Sequence, residues 1–526
     1  MKRKHVVLFS GLIALASLVL VIFNLITSRN YYAEEYRPQF HFSPEENWLN
    51  DPNGMVYYDG EYHLFYQHNP GGNEWGPMYW GHAISKDMIN WDHKPIALEP
   101  DDLGMIFSGS TVVDWNDTSG FFDGGEGLVA IYTQNGEGQK QSIAYSKDKG
   151  RSWEKYDGNP VIPVDPEIKD FRDPKVFWHE GTEKWVMSLA AGKKVMFYDS
   201  PNLIDWNFMS EFGEGAGAQG GVWECPDLFE LPVDGDSDDT KWVLQVDIGD
   251  GAIAGGSGAQ YFIGDFDGTT FKSIDEPDHI NWLDYGADFY AGQSFSDIPD
   301  EDGRRIMIAW MSNWLYANRV PTEEWRGSMS VPRSLELKTT DDGSIKLFQQ
   351  PIEELTALRD EELFRVENQV VDSIEAADLL DGIEADVFEL NAEIQLDQPV
   401  DFGIKVRMSE ENQDETVIGF SESKNELFVE RSQSEELYFS PYFNGRHAVS
   451  INDSKVINLK ILVDKNSVEV FLQNGEYAIT DLIFPRDDSR GLEFYVEDGE
   501  VTINSLEIHS IKSTWKYELF NHFYGS

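Results

Sequence analysis

The sequence predicts an all-β protein, a five-bladed β-propeller followed by a C-terminal β-sandwich. Short apolar or aromatic runs bounded by Gly, Asp, Asn and Pro dominate residues 50–340, and helical periodicity is scarce there. Within that region, a unit of paired strand-like runs recurs at a spacing of roughly 50–65 residues, as propeller blades do. From about residue 350 the pattern changes to alternating strands separated by turns, which is typical of an antiparallel sandwich.

The propeller units begin with a similar order of residues. "DPNGMVYYDGEYHLFYQ" starts at Asp51 and "DPKVFWHEGTEKWVMSLA" starts at Asp173, each with a carboxylate, a proline, an apolar run, a turn and a second apolar run. "ECPDLFELPVDGDSDDTKWVLQVD" starts at Glu224 and has a longer acidic turn. Two further units, near residues 108 and 288, keep the paired runs without the proline. Five units fit the usual range of about 4–8 blades, and a sandwich alone would not explain the repeat.

A second sequence signature recurs in three of these units. "SKDMINW" begins at Ser85, "SKDKGRSW" at Ser146 and "SPNLIDW" at Ser200. Small polar residues followed by an aromatic residue are typical of a turn that leads into a strand. We therefore predict that each segment is a hairpin that closes a blade with a buried tryptophan.

The same patterns divide the chain. We predict the propeller over residues 34–345 and the sandwich over residues 362–526. Between them, "QQPIEELTALRDEEL" predicts a short linker of helical character over residues 346–361. A linker this short predicts that the two domains pack against each other rather than move freely.

The first 33 residues form a separate segment. Three basic residues at positions 2–4 precede an apolar run from Val6 to about Ile26, which is the pattern of an export signal. The core of a cleaved signal is about 7–15 residues long, whereas about 20 residues span a bilayer. The segment therefore fits both a signal peptide and a membrane anchor, and we predict a protein that is secreted or anchored to the outer face of the cell membrane.

The charge of the chain excludes one class of partner. The sequence has 94 acidic and 41 basic residues, a formal net charge of −53 at pH 7. That field repels nucleic acid, so we expect no nucleic-acid partner, whereas a neutral substrate is indifferent to it. Cys225 is the single cysteine, so no disulfide can form within the chain. Trp and Tyr, which stack on sugar faces, are abundant, with 16 and 22 residues.

Three carboxylates form the strongest candidate site. The first strand of each propeller blade lines the central channel, so Asp51, Asp173 and Glu224, which begin three such strands, are expected to converge at equivalent positions on the axis. Carboxylates brought together repel one another and raise one another's pKa, which is typical of a functional site. Two such acids can cleave a glycosidic bond, one by donating a proton and the other by attacking or by activating water.

The neighbours of each acid indicate different roles. Glu224 lies between a tryptophan and the cysteine, and these apolar flanks suit a proton donor, which needs a raised pKa. Asp51 lies close to two asparagines, whose amide donors would keep it ionised as a nucleophile requires. Arg172 precedes Asp173, so we expect the arginine to keep that carboxylate charged or to grip a hydroxyl group.

Other chemistries receive less support from the sequence. Converging carboxylates also suit calcium, but the ligand spacing of a calcium loop is missing, although a calcium site elsewhere on the surface stays open. The sequence contains no G-x-S-x-G elbow, no H-E-x-x-H pair and no phosphate-cradling glycine loop. We therefore expect no metal in the site and no cofactor.

Three motifs carry a resemblance to a known family. "NWLNDPNG", "FRDPK" and "WECPDLFEL" resemble the three signature motifs of glycoside hydrolase family 32, the β-fructofuranosidases, and "FSGSTVVDW" and "GAQYFIGDFDGTTF" support the match. The resemblance covers roughly residues 36–510. It implies a five-bladed propeller with a C-terminal sandwich, as the patterns above also predict. The family includes invertases, inulinases and levanases.

The resemblance also implies roles for single residues. Asp51 would be the nucleophile, Glu224 the general acid and then the base, and Asp173 the group that stabilises the oxocarbenium-like transition state. The family retains configuration, so the carboxyl groups of Asp51 and Glu224 should lie about 5–5.5 Å apart. Further positions match those that line the fructose-binding subsite: Asn50, Gln67, Trp75, Phe107, Ser108, Arg172 and Trp310.

The leading hypothesis is an exo-acting hydrolase that releases fructose from β-fructans, levan or inulin, and from sucrose. A sucrose-specific invertase is the alternative within the same class. A fructosyltransferase would pass the sugar to another sugar instead of water. A non-catalytic fructan-binding protein on the same scaffold would be expected to lose a carboxylate, and here all three motifs are intact. The preference among levan, inulin and sucrose and the oligomeric state stay open.

Overall fold

The computed structural model of the protein describes residues 31–409, 414–431, 438–451 and 454–515. Nearly all of the segment predicted to be a signal peptide or a membrane anchor therefore lies outside the described residues. Over the described ranges, no helix combines the length and the apolar character needed to cross a membrane.

The first three blades of the propeller are antiparallel sheets of four consecutive strands each. Blade one contains β1 (Asn47–Tyr58), β2 (Glu61–Asn69), β3 (Tyr79–Ser85) and β4 (Trp91–Leu98). Blade two contains β5 (Met105–Val113), β6 (Leu128–Gly136), β7 (Gly138–Ser146) and β8 (Glu154–Lys155). Blade three contains β9 (Phe171–His179), β10 (Lys184–Ala191), β11 (Val195–Ser200) and β12 (Asn207–Phe212).

Blades four and five complete the ring. Blade four contains β13 (Trp223–Val233), β14 (Asp236–Ile248), β15 (Gly258–Phe266), β16 (Phe271–Ser273) and β17 (Asn281–Trp282). Blade five contains β18 (Tyr290–Ser294), β19 (Arg305–Trp310), β21 (Arg333–Thr339) and β22 (Ile345–Pro351). The two-residue strand β20 (Trp325–Arg326) pairs in parallel with β1, which joins the end of the propeller to its first blade. The five-bladed fold that the repeat predicts is confirmed.

All five inner strands contain a β-bulge near the start, where one extra residue opposes the neighbouring strand. The bulges lie between Leu49 and Pro52, Ile106 and Gly109, Arg172 and Lys175, Glu224 and Asp227, and Tyr290 and Gln293. A bulge interrupts the alternation of side chains and turns the following residues to a new direction. The same end of every inner strand thus directs additional side chains towards the channel.

The predicted hairpin turns are present, but their tryptophans are half-buried rather than buried. Trp91 begins β4, and its indole Nε1 donates to the carbonyl oxygen of Met88 at 3.1 Å. Trp206 precedes β12 and donates in the same way to Leu203 at 3.0 Å. These rings lie at the outermost strand of a blade, where one face is left to solvent. Their indole N–H groups hold the turn closed, while the rings pack against the edges of the blade cores.

The C-terminal domain is a sandwich of two antiparallel sheets. One sheet, in the order β23-β33-β24-β29-β30-β31, contains β23 (Arg359–Asp372), β24 (Phe388–Gln395), β29 (Val456–Asp464), β30 (Ser467–Leu472), β31 (Tyr477–Leu482) and β33 (Glu500–Ile511). The other, in the order β28-β27-β26-β25-β32, contains β25 (Asp401–Ser409), β26 (Asp414–Ser421), β27 (Glu426–Arg431), β28 (Gly445–Ser450) and β32 (Gly491–Glu497). Their inner faces bury a shared apolar core that includes Phe388, Phe402 and Phe494. The described helical segments are an α-helix at Ser373–Leu379 and 3₁₀ turns at Ala317–Arg319, Glu353–Leu358, Glu422–Lys424 and Gln473–Gly475.

The prediction of a helical linker over residues 346–361 is wrong for most of its length. Strand β22 pairs with β21 and carries blade five on to Pro351, beyond the predicted end of the propeller at residue 345. Only Glu353–Leu358 is helical, and β23 of the sandwich already begins at Arg359. In the structure, burial alternates along this strand, because Leu347 and Gln349 are buried and their neighbours are not. Such a period of two is typical of a strand.

A buried ionic network joins the two domains. His41, in the segment before β1, contacts Asp464 through Nδ1 at 2.8 Å and Glu469 through Nε2 at 2.9 Å. Arg333 of blade five also donates to Glu469, and its Nη1 lies 3.0 Å from Asp284. All five side chains are enclosed. The domains therefore form a packed unit, as the short connection predicts.

The His41 contacts predict a pH-dependent stability. Burial alone would lower the pKa of His41, but hydrogen bonds with Asp464 and Glu469 raise it to about 9. Because this value exceeds that of the unfolded chain, about 6.5, the stabilisation is complete below that pH and is lost as the pH rises through about 9. The melting temperature of a His41→Gln variant should lie below that of the wild type at pH 6, and the gap should narrow by pH 9.5. Calorimetry at the two pH values measures it.

The exposed His279 supplies a matched control, because a His279→Gln variant should melt with the wild type at both pH values. A gap for the His41 variant that is equally wide at pH 6 and pH 9.5 would contradict the assignment of a charged histidine to this network.

Candidate active site

Three carboxylates meet at one end of the propeller channel. The thiol sulfur of Cys225 lies 3.7 Å from Asp51 Oδ2 and 3.7 Å from Asp173 Oδ2. The guanidinium of Arg172 lies 2.9 Å from Glu224 Oε1 and 3.9 Å from Asp173 Oδ2. Continuous contacts thus link the acids of β1, β9 and β13, and the structure brings together the three residues that the sequence singles out.

The three acids are staggered rather than equivalent. Glu224 is the last paired residue before the bulge of β13, Asp173 follows the corresponding residue of β9 by one position, and Asp51 follows that of β1 by two. Both the Asp173 and the Cys225 backbone adopt the left-handed region, with φ of 65° and 46°. The expectation that the three acids occupy equivalent positions in their strands is therefore wrong. Aligning the motifs does not show where each acid lies relative to the bulge of its strand.

Asp51 is fixed by donors on both of its oxygens. Asn50 Nδ2 donates to Oδ1 at 2.8 Å, and Ser108 Oγ donates to Oδ2 at 2.6 Å. The fully buried Trp48 donates from Nε1 to Asn50 Oδ1 at 2.7 Å, which fixes the orientation of that amide. Burial raises the pKa of Asp51, the Ser108 and Asn50 hydrogen bonds oppose this rise, and the charge of Glu224 adds to it. The carboxylate is held in one direction rather than left in a mobile turn.

Asp173 has a strongly raised pKa. Its Oδ2 accepts a hydrogen bond from the backbone N–H of Cys225 at 3.0 Å. Burial raises its pKa to about 7, with Glu224 and Asp51 adding to the rise and Arg172 opposing it. The expectation that Arg172 keeps Asp173 charged is therefore wrong, because burial raises the pKa of Asp173 by more than the arginine lowers it. The guanidinium lies closer to Glu224, so burial dominates at Asp173.

Glu224 has partners on both of its oxygens. Its Oε1 lies 3.0 Å from Arg172 Nε and 2.9 Å from Nη2, and its Oε2 accepts a hydrogen bond from the hydroxyl group of Tyr290. Tyr290 opens β18, the fifth inner strand, and lies before the bulge as Glu224 does in β13. Sequence reasoning missed this tyrosine. The repeat itself held the signal, since the unit near residue 288 begins its strand with an aromatic residue.

A fourth acid, Asp247, was also missed. It faces Glu224 across the β13–β14 pair, and it accepts hydrogen bonds from the Ala291 backbone at 2.9 Å and from Gln245 Nε2 at 2.6 Å. Burial raises its pKa well above the usual range, and the charges of Asp51 and Glu224 add to the rise. Its only sequence signal is a carboxylate at the end of the apolar run "WVLQVD", and cross-strand neighbours cannot be read from one sequence.

The remaining predicted subsite residues lie on the side of blades one and two. Trp75 is 42% exposed, and its ring meets that of Phe107 edge to face at 6.2 Å. Phe107 is half-buried and precedes Ser108 in the bulge of β5. Gln67 is buried in β2 and donates from Nε2 to the Ile106 carbonyl at 3.1 Å. Trp75 and Phe107 thus form an aromatic edge next to the carboxylates, with Gln67 behind it.

Trp310 does not reach the surface of the site. Its ring is 1% exposed and packs against Trp314 at 4.8 Å, Trp48 at 5.9 Å and Tyr290 at 6.3 Å between ring centroids. It therefore supports the residues that position the acids, and it has no free face for a sugar. Trp314 is half-buried and is the ring of this group that retains exposed area.

The fold and the site define a class of protein. The site combines two acids that can act as a pair with hydrogen-bond donors to each carboxylate and a half-exposed aromatic edge. Such a site suits the cleavage of a glycosidic bond. Comparison with known proteins identifies the family. The chain belongs to glycoside hydrolase family 32, since the family model of the N-terminal domain matches residues 41–351 and that of the C-terminal domain matches residues 354–510. It is therefore a glycoside hydrolase.

Several relatives cover most of the chain. It is 54% identical over 492 residues to a levanase of Bacillus subtilis, a match that spans 92% of this chain and 72% of that protein. It is 39% identical to the extracellular exo-inulinase of Aspergillus niger, over 92% of this chain and 96% of that protein. The crystal structure of an exo-inulinase from Aspergillus awamori superimposes with a TM-score of 0.83 at 38% identity and covers 92% of this chain and 100% of that chain.

The raised pKa of Asp173 predicts that this residue costs stability. Its value of about 7 exceeds the unfolded value of about 3.9, so folding is opposed progressively as the pH rises from about 4 to above 7. An Asp173→Asn variant should therefore melt higher than the wild type at pH 8, and the gain should shrink towards pH 4. Thermal unfolding at both pH values measures this.

An exposed acid gives the control for this prediction. Asp59, in the turn between β1 and β2, has a left-handed φ of 52° that asparagine also tolerates. Asp59→Asn should show no pH-dependent gain. If Asp173→Asn melts lower than the wild type at pH 8, the carboxylate is stabilising and the argument fails.

Proposed function

We propose that the protein is a retaining, exo-acting β-fructosidase that releases fructose from the ends of β-fructans and from sucrose. The observation that carries this proposal is the linkage of Asp51 and Glu224 within one buried cluster, with separate donors that hold each carboxylate. The similarity to a levanase and to exo-inulinases supports fructans as the substrate class.

The first chemical step uses Asp51 and Glu224 together. Asp51 attacks the anomeric carbon of the terminal fructosyl unit, while Glu224 donates its proton to the leaving oxygen, so that a fructosyl ester forms on Asp51 and the shortened chain departs. Asn50 and Ser108 orient the attacking carboxylate through their hydrogen bonds. Positive charge develops on the sugar ring in the transition state, and the buried Asp173 stabilises it.

The second step returns the enzyme to its starting state. Glu224, now ionised, removes a proton from water, and the resulting oxygen nucleophile attacks the anomeric carbon and displaces Asp51. Fructose leaves with its original configuration after two inversions. Arg172 and Tyr290, which contact the two oxygens of Glu224, keep this side chain in place for both proton transfers.

The shape of the channel supports attack from a chain end. Beneath the carboxylates, the channel narrows to a void too small for water, lined by residues that include Asn53, Pro174 and Gln293. A polymer cannot thread through such a closed floor, so the substrate reaches Asp51 from the open mouth, which is consistent with entry of a terminal unit. The rest of the chain then lies towards the half-exposed edge formed by Trp75 and Phe107.

An extracellular location fits the substrate, because a polymer of this kind is too large to import. The basic and apolar start of the sequence supports export, and one relative is named an extracellular exo-inulinase. We infer that the protein acts outside the cell, either secreted or anchored to the membrane by its N-terminal segment.

The proposal predicts the products and the variants that abolish them. Incubation of the wild type with levan, inulin, sucrose and a β-galactoside should release fructose from the first three and nothing from the last, as read by chromatography. Asp51→Asn removes the nucleophile, and Glu224→Gln removes the positioned acid and base. Each variant should lose turnover by about a hundred- to ten-thousand-fold or more.

The control is Asp59→Asn, which removes an exposed carboxylate from the same hairpin as Asp51 and should keep wild-type turnover. Retained activity in either acid variant would refute the residue assignment. Oligomers in place of free fructose would indicate a fructosyltransferase, and release from sucrose alone would indicate an invertase. A wild type that frees no fructose would refute the proposed function itself.

A further inference from the structure

A second cavity lies at the opposite end of the propeller axis. It has a volume of about 640 Å³ and opens between blades two to five, where the inner strands end. Its lining comes from residues 112–116, 177–181, 227–230 and 296–300, together with Thr118, Lys175, Trp185, Trp242 and Arg305. Along β9, at about 3.3 Å per residue, the rim of the cavity at His179 lies about 20 Å from Asp173, whereas its inner wall at Lys175 and Asp227 begins two and three residues after Asp173 and Glu224. The closed floor beneath those acids separates the two.

Aromatic side chains line this cavity. Trp115 is 50% exposed at its rim, and Trp178 and Trp242 are half-buried in its wall together with Phe177. The indole Nε1 of Trp115 donates to Asp297 at 2.9 Å, which holds the ring at the rim although it is exposed. Rigid aromatic faces beside solvent are the groups on which the apolar faces of sugars stack.

The wall also contains a buried acceptor without a partner. Asp227 is 1% exposed, and its Oδ2 accepts from the Ser294 backbone at 2.6 Å and lies 3.4 Å from Lys175 Nζ. Its Oδ1 is buried in the cavity wall and has no hydrogen-bond partner among the described residues. A buried acceptor left unpaired costs free energy, which a hydroxyl donor would recover.

The charges of the wall select against ions. The acids of the lining, Asp114, Glu180, Asp227, Glu230, Asp297 and Asp300, and the net charge of −53 oppose an anion or nucleic acid. These acids outnumber Lys175 and Arg305, but no group of them among the described residues could hold a metal ion, so a neutral ligand with many hydroxyl groups fits best. The volume lies within the usual range of about 300–1,000 Å³ for ligand pockets.

We propose that this cavity is a second, non-catalytic saccharide site that binds a short internal stretch of the β-fructan chain. The substrate class rests on the proposed function. A chain held at this face raises the local concentration of chain ends near the catalytic mouth without adding any catalytic group. The site should therefore matter for the polymer and not for sucrose, which is too short to reach both ends of the propeller.

The test replaces the rim aromatic and measures two substrates. Trp115→Ala should raise the KM for levan or inulin at least five-fold, leave kcat unchanged and leave both constants for sucrose unchanged. Phe208→Ala, which removes an equally exposed aromatic ring from the outer strand β12, should change neither substrate. Asp227→Asn removes the unpaired acceptor and should repeat the Trp115 result, after a melting curve has verified that it folds.

Binding gives a readout that does not depend on turnover. Titration calorimetry of Glu224→Gln with an inulin oligosaccharide should show two sites per chain, and the double variant with Trp115→Ala should show one. An unchanged polymer KM and an unchanged stoichiometry in the Trp115 variant would overturn the second site while leaving the proposed function intact. If the wild type frees no fructose, the titration is repeated with neutral glucan and xylan oligosaccharides. Binding that Trp115→Ala abolishes supports the saccharide site, and no binding overturns it.

Discussion

The catalytic end of the channel holds several acids close together in a buried site. The residues around them must offset the cost of that arrangement. Burial raises the pKa of Asp51, Asp173 and Asp247, and the charges of the neighbouring acids, including Glu224, add to the rise. Among the described residues, Arg172 is the cation that pairs with acids of this cluster, and the other donors to them include hydroxyl, amide and backbone groups. Those donors are in place because every inner strand bulges at the same level, which turns side chains that would face a neighbouring blade into the channel.

The sandwich contributes by fixing the chain that enters the first blade. His41 lies shortly before β1, and its two ring nitrogens contact Asp464 and Glu469 of the sandwich. Buried ion pairs add little net stability compared with apolar packing, but losing one partner costs about 3–5 kcal/mol. Such a network therefore favours one docking arrangement over others. Because Arg333 of blade five shares Glu469, the network also holds the last blade near the first, where β20 closes the ring on β1.

The sequence predicted what depends on repeated local pattern. The blades and the three acids followed from similar runs at a regular spacing, and their meeting followed from propeller geometry. Contacts that depend on tertiary structure could not be predicted from the sequence. Tyr290 and Asp247 become neighbours of Glu224 only through strand pairing, and the stagger of the acids depends on bulges that no spacing shows. Burial was misjudged in both directions, since Trp310 is buried with no free face and Trp91 is only half-buried. The supposed linker failed because a strand with alternating burial, ending in Pro351, was interpreted as the start of a helix.

The central claim is that Asp51 is aimed at the anomeric carbon and forms a bond to it. Glu224→Gln treated with a fructosyl donor whose leaving group needs no protonation should complete the first step and stall before the second, because the base for water is missing. Mass analysis of peptides after acid quenching should then find one anhydrofructose unit esterified to the peptide that contains Asp51. A label on another acid, or free fructose of inverted configuration with no labelled peptide, would contradict the account.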